Sequence, residues 1–191
     1  MIIGIKEDGK VILAYMTKGY KNVNSSDLVA PENVGLWKIE ANPHTIMGCV
    51  RPTAESDAYR YEGEMFTGEI DYDSLIDRIV PAMEAFTADK EYIGTDDDRY
   101  EHFLIAKGDR LFHITNEHIV TEVDTFVVVG GYNEDLSKGV LFATKGEPAI
   151  DRIRKAAEFA AAAGDYEAYP ICVMDTETCN LSKLTRENKI D

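Results

Sequence analysis

The chain is short of several things, and each shortage excludes something. Its basic residues are outnumbered, 20 Lys and Arg against 35 Asp and Glu, which leaves a formal charge of −15. Such a field repels phosphate backbones and anionic lipid surfaces, so neither nucleic acid nor a membrane is expected as a partner. Long apolar runs are missing too. The longest, around Phe126–Val129, falls far below the roughly 18 residues a membrane-spanning helix needs. Lys6, Glu7, Asp8 and Lys10 interrupt the opening, which therefore does not read as a signal peptide, and a cytoplasmic location is expected. There are only three cysteines, Cys49, Cys172 and Cys179, an odd number at no metal-ligand spacing. Cys49 and Cys172 lie in apolar strand contexts and are expected as buried free thiols, in keeping with a reducing compartment.

What remains is the composition of an ordinary globular protein. Of its 191 residues 45% are hydrophobic, enough for one domain spanning 1–191 with a real core. "MIIGIKEDGKVILAYM" predicts a β-hairpin, with Asp8-Gly9 at the turn where positive φ is cheapest. A polar stretch from Thr17 to Asn33 reads as a loop. "VGLWKIE" and "HTIMGCV" predict a second hairpin around Asn42-Pro43. "PTAESDAYRYEGEMF" reads as a short helix interrupted by glycine. "DYDSLIDRIVPAMEAF" (Asp71–Phe86) reads as a longer one with Leu75, Ile79, Met83 and Phe86 on one face, kinked or broken near Val80 by Pro81. After a charged segment, "EHFLIAK", "RLFHIT", "HIVTEV" and "TFVVVGG" predict four strands, with a tight turn at Gly108-Asp109. "NEDLSKGVLFAT" and "EPAIDRIRKAAEFAAAAG" predict two helices, the second starting at Pro148, ending at Gly164 and striped by Ile150, Ile153, Ala157 and Ala160. "PICVMDT" closes the pattern as a last strand before a polar tail. Strand runs alternating with helix pairs argue for an α+β protein, a four-layer αββα sandwich of two antiparallel sheets flanked by helix pairs.

This order, with these local sequences, resembles the proteasome β-subunit and HslV peptidase family of N-terminal nucleophile hydrolases. "IIGIKEDGKVILA" is similar to that family's opening strands, "LWKIEANPHTIMGCV" to its next pair, "FLIAKGDRLFHIT" to its central hairpin and "FVVVGGYNEDLSKGVLFA" to the strand, glycine turn and helix that follow. "AAAAGDYEAYPICVM" is similar to its alanine-rich helix and closing strand. The resemblance implies the layered fold and a nucleophilic N-terminal threonine activated by its own α-amine, whose pKa lies near neutrality. It also implies where the chemical positions fall. Aligned through Gly4, Met1 stands one place beyond the threonine. Met16 stands at the aspartate after the second strand, and Gly35 at the lysine of the third. Lys38 matches a different position. Gly48 keeps the first glycine of the Gly-x-x-Gly oxyanion turn, but Arg51 replaces the second. The later Gly-Ser-Gly turn reads Val129-Gly130-Gly131. The expectation is therefore no catalytic residue, no cofactor and no metal: a pseudoenzyme of this fold that acts in assembly or binding.

The alternative is an active threonine-type peptidase or amidohydrolase whose start or nucleophile lies elsewhere, with Thr17, Ser25 or Ser26 exposed by cleavage. The resemblance further implies a homo-oligomer, with a ring among its forms, or a protein partner. The alanine-rich back of the last helix, Ala156, Ala161, Ala162 and Ala163, is the expected contact.

Other arrangements carry a chemical and a structural reading. His44 and Cys49 could form a nucleophilic pair, but their odd spacing on a strand puts them on opposite faces, and a structural cysteine is expected. His102, His113 and His118 could gather a metal, but no carboxylate or thiol spacing supports one. Asp96, Asp97 and Asp98 lack the alternating spacing of a calcium loop and read as a solvated acidic turn. "VVVGGYN" lacks the lysine and further glycines of a phosphate-binding loop and reads as a structural turn.

Overall fold

In the computed structural model of the protein the residues described are 1–16, 35–50, 59–60, 63–89, 102–115, 117–130, 133–164 and 168–186. The opening hairpin forms as its sequence predicts: β1 (Ile2–Glu7) and β2 (Lys10–Met16) are joined by Asp8 and Gly9, both at positive φ, the geometry a two-residue turn between twisted strands requires. The other strands are β3 (Leu36–Lys38), β4 (Thr45–Cys49), β5 (Phe103–Lys107), β6 (Arg110–Ile114), β7 (Val120–Val123), β8 (Phe126–Val129), β9 (Ile171–Asp175) and β10 (Ser182–Leu184). They make two five-stranded antiparallel sheets, in the orders β10-β9-β2-β1-β8 and β3-β4-β5-β6-β7.

Each sheet is buried on both faces, and so its strands read as unbroken apolar runs rather than as alternations. Ile2, Leu13 and Val129 of the first sheet meet Ile46, Leu104 and Leu111 of the second in the middle layer. Gly4 is the close-approach point of that layer, since a Cβ there would lie 2.9 Å from Leu111. On the outer face of the first sheet Ile3, Ile5 and Val128 pack on α2 (Glu134–Ala143) and α3 (Ala149–Gly164). Met47, Ile105 and Phe112 on the outer face of the second sheet pack on Leu75, Ile79 and Met83. These last belong to a helical run that opens at Asp71, whose side chain accepts from Ser74 N in a capping box. The run passes through a wide π-type turn, Leu75–Ile79, into α1 (Val80–Asp89). The four-layer α+β sandwich is the architecture read from the sequence.

The deformation expected near Val80 takes its milder form, a wide turn just before Pro81 after which the helix continues to Asp89. Two other sequence expectations fail. The strand read at 170–176 is not the last. The Asp175 carboxylate accepts from the amides of Glu177 and Thr178, Cys179 adopts a left-handed φ of 53°, and the chain returns as β10. A three-residue strand whose only buried side chain is Leu184 leaves no periodic signal. The alanine back of α3 is not free surface either: Ala156 and Ala161 are buried against the first sheet, and only Ala162 and Ala163 face outward. In the second predicted hairpin His44, at φ 59°, takes the left-handed place, while buried Asn42 donates to the carbonyls of Phe66 and Gly68. The expected loop Thr17–Asn33, residues 52–58 and 61–62 of the first predicted helix, and 90–101 lie outside the described residues.

At the end of the sandwich holding the Asp8-Gly9 turn, one buried threonine ties the sheets together. Thr176 Oγ1 accepts from Val11 N at 3.0 Å and donates to Gly108 O at 2.6 Å. Its carbonyl meets His44 Nδ1 at 3.1 Å, and Gly108 N donates to His44 O.

Candidate functional site

The opposite end, where β1 begins, collects the positions singled out by the resemblance. The register Ile2↔Tyr15 and Ile2↔Val129 brings Met1, Met16 and Gly130 to one edge of the first sheet. The Met1 amine points at Met16 O, 3.5 Å away, and Ser137 Oγ donates to Met1 Sδ. Met16 turns its side chain into the core beneath α3. Across the gap, Gly35 and Gly48 stand side by side: a Cβ on Gly48 would lie 3.4 Å from Gly35 O and 3.2 Å from Ile2. Gly35 has no room for a side chain. A Cβ there would fall 2.5 Å from the Cys49 carbonyl oxygen and 2.8 Å from the Tyr15 ring. Tyr15 therefore fills the space, and burial pushes its hydroxyl up to about 12, too high for a base at neutral pH. Arg51 lies outside the described residues.

Gly130 closes this end. It sits at φ 71° with Val50 pressed against its α-carbon, and its amide donates to Glu134 Oε2 at 3.1 Å. Glu134, in the first turn of α2, also pairs with Lys138 through Oε1. The glycine turn thus spends its first amide on a carboxylate of its own chain, as a structural turn does. Gly131 lies outside the described residues.

The nucleophile and metal candidates do not assemble. Cys49 is wholly buried in the core beneath α1, while His44 sits at the far end of the sandwich on Thr176. Burial pushes the Cys172 and Cys179 thiols up, the wrong direction for an activated thiolate. His118 turns outward to Glu84, 2.9 Å away. Among the described residues no three His, Cys, Asp or Glu side chains are placed to hold a metal. Asp96–Asp98, Thr17, Ser25 and Ser26 lie outside the described residues.

His102 and His113, however, are brought into direct contact, His102 Nδ1 lying 2.9 Å from His113 Nε2. The ring centres are 5.1 Å apart and the planes 28° from parallel. That is close to the in-line joining of two imidazoles through one hydrogen bond. Burial, then the neighbouring His102, pushes His113 down to about 4, and burial lowers His102 as well. The pair was within reach of the sequence. With Lys107 facing Arg110 across the Gly108 turn, Leu104 faces His113, and His102 is the diagonal neighbour on the same face.

The class of fold is now defined: two antiparallel sheets in these strand orders between helix layers, with the first strand opening at the end of the gap. No protein-family profile matches the sequence, and no curated protein does. Solved structures do match. BPH of Thiobacillus denitrificans, in complex with epoxomicin, superposes with a TM-score of 0.66 at 17% identity, over 91% of this chain and 96% of that one. HslV from Trypanosoma brucei gives 0.57 at 15%, over 91% and 97%. Anbu, an ancestral β-subunit from Yersinia bercovieri, gives 0.64 at 11%, over 98% and 88%. The chain has the proteasome- and HslV-like N-terminal nucleophile hydrolase fold. No described helix is long and apolar enough to cross a membrane.

Proposed function

We propose that the protein is a non-catalytic member of this fold class, a single cytoplasmic domain acting in assembly or binding. One observation carries the reading: at the position matched to the family's lysine, Gly35 is walled off by the Cys49 carbonyl and the Tyr15 ring. An absent lysine by itself is one substitution. A backbone that leaves no room for any side chain there is a rebuilt site. Met1 and Met16 supply neither a nucleophile nor a carboxylate beside it, and function resides in the site rather than in the fold.

The test borrows the ligand seen with Thiobacillus denitrificans BPH. Purified protein incubated with fluorogenic peptides is expected to show no turnover above the buffer rate. Turnover that epoxomicin abolishes establishes the active-peptidase alternative instead.

Self-association is part of the proposal, but its contact differs from the alanine face of the sequence reading. Phe142 of α2 and Phe159 of α3 are 74% and 57% exposed, with Leu136 at 39%. Large apolar side chains left on an outer helix layer suit a partner surface. Light scattering coupled to size exclusion at physiological salt is expected to give a multiple of 21.3 kDa. The single-chain mass at every concentration refutes the oligomer.

A further inference from the structure

The two helical layers differ sharply in charge. From Glu134 to Gly164, α2, α3 and their link hold five acidic and five basic residues, no net charge in a chain of −15. The helical run Asp71–Asp89 on the other side holds five acidic residues and one basic. Both layers leave apolar side chains exposed, Tyr72 and Ile76 on the acidic one and Leu136, Phe142 and Phe159 on the neutral one. Two copies of so acidic a chain repel each other except where the facing surfaces are neutral. That condition selects the α2–α3 layer for a second copy.

Within that layer α2 has a symmetric outer face. Its exposed residues are Asp135, Leu136, Gly139, Phe142 and Ala143, that is, Gly139 and the positions three and four places to either side. The crest of the helix is thus a glycine, an unfavourable residue in a helix interior. Neither usual reason for a glycine applies inside the chain. Gly139 is not at positive φ, and a Cβ there would meet nothing within 4 Å. Large apolar side chains stand at both ends of this bare crest. Phe142 is at the C-terminal end. Leu136 is at the N-terminal end together with Phe159, because Asn133 Nδ2 donates to Ala160 O at 2.8 Å and draws that part of α3 beside the start of α2. Charge is divided in the same way, with a fully exposed Asp135 carboxylate at the start and an exposed Lys145 just past the end.

We propose that two copies of the chain pair through α2, the helices antiparallel about a two-fold axis at Gly139.

The proposal rests on the self-association put forward above, and adds to it the contact and its symmetry. Turning one copy end for end lays its Phe142 on Leu136 and Phe159 of the second copy, and the axis repeats the contact. The position facing Asp135 is then Ala143 of the second copy, two residues or about 3 Å of helix rise from the opposite charge of Lys145. The missing side chain at Gly139 lets the two crests meet backbone to backbone. Since both copies use the same patch, this contact joins two chains and extends no further.

A cysteine placed on a two-fold axis meets the same residue of the second copy, and this gives the test its signature. Under oxidised glutathione, Gly139→Cys in the full chain is expected to form a disulfide-linked pair on a non-reducing gel. Ala162→Cys, exposed near the end of α3 and away from the axis, is expected to remain single, as is the wild type. Phe142→Asp, at an exposed position, is expected to keep the wild-type circular dichroism and to raise the dissociation constant about thirtyfold or more. Light scattering of the wild type is expected to give an even multiple of 21.3 kDa. A wild-type multiple with no cross-link at position 139, or with Phe142→Asp associating as tightly as the wild type, overturns this contact and leaves self-association standing. The single-chain mass for the wild type at every concentration refutes self-association, and the α2 pairing with it.

Discussion

Thr176→Val is expected to destabilise the protein by about 2–4 kcal/mol, because it removes the donor to Gly108 O and leaves Val11 N buried without an acceptor. Valine matches threonine in shape, so packing is preserved and the loss reports the hydrogen bonds alone. For a chain of this size the melting temperature is expected to drop by roughly 5–12 °C. Thr176→Ser keeps the hydroxyl and sacrifices one methyl group, for a cost of about 1 kcal/mol. Urea unfolding of the two variants side by side checks the argument. A valine variant that loses less than the serine variant shows that Thr176 acts through packing and not as a clasp.

Gly35→Ala is expected to be as damaging, at about 3 kcal/mol or more, although it adds one methyl group. The new Cβ would sit 2.5 Å from the Cys49 carbonyl oxygen. That oxygen belongs to β4, whose two neighbours in the sheet hold it, and Cys49 N itself donates to Gly35 O at 2.9 Å. Neither partner can yield without breaking that bond. Truncating the ring as well, in Tyr15→Ala with Gly35→Ala, relieves the contact at 2.8 Å but not the one with the carbonyl, so most of the loss is expected to remain. Chemical denaturation of the single and double variants measures both. Full recovery in the double variant places the obstruction in the ring and opens the site to re-engineering with a lysine. Persistence of the loss means that the backbone itself has closed it.

The fold was legible where local chemistry and tertiary packing agree. Asp8-Gly9 specified its turn, the apolar runs of β5, β6 and β8 specified strands buried on both faces, and Pro148 and Gly164 bracketed α3. It was obscure where a long-range contact overrides the local signal. Ser182–Leu184 is a strand only because β9 lies beside it, and Ala156 and Ala161 are core only because the first sheet lies beneath them. The candidate site divides in the same way. That Met1, Met16, Gly35, Gly48 and Gly130 lack reactive side chains is plain in the sequence, and their gathering at one end of the sandwich follows from the register. That Gly35 is filled by Tyr15 depends on side-chain placement across strands, which composition and spacing do not encode, whereas the approach of His102 to His113 follows from the register set by the Gly108 turn.

The burial of both sheets on both faces has a consequence for how the strands find their partners. In a sheet with one wet face, slipping a strand by one residue moves its apolar side chains into water, and solubility alone forbids the error. Here the same slip would carry Ile2 and Leu13 from the middle layer into the layer beneath α2 and α3, and Ile3 and Ala14 the other way. Every residue would remain dry. Discrimination must then come from volume. Gly4 leaves a notch into which Leu111 fits, and Gly48 leaves another for Leu36 and Ile2. These notches act as keys in a lock of otherwise interchangeable hydrocarbon, so alignment in this protein is written in the sizes of its side chains rather than in their polarity.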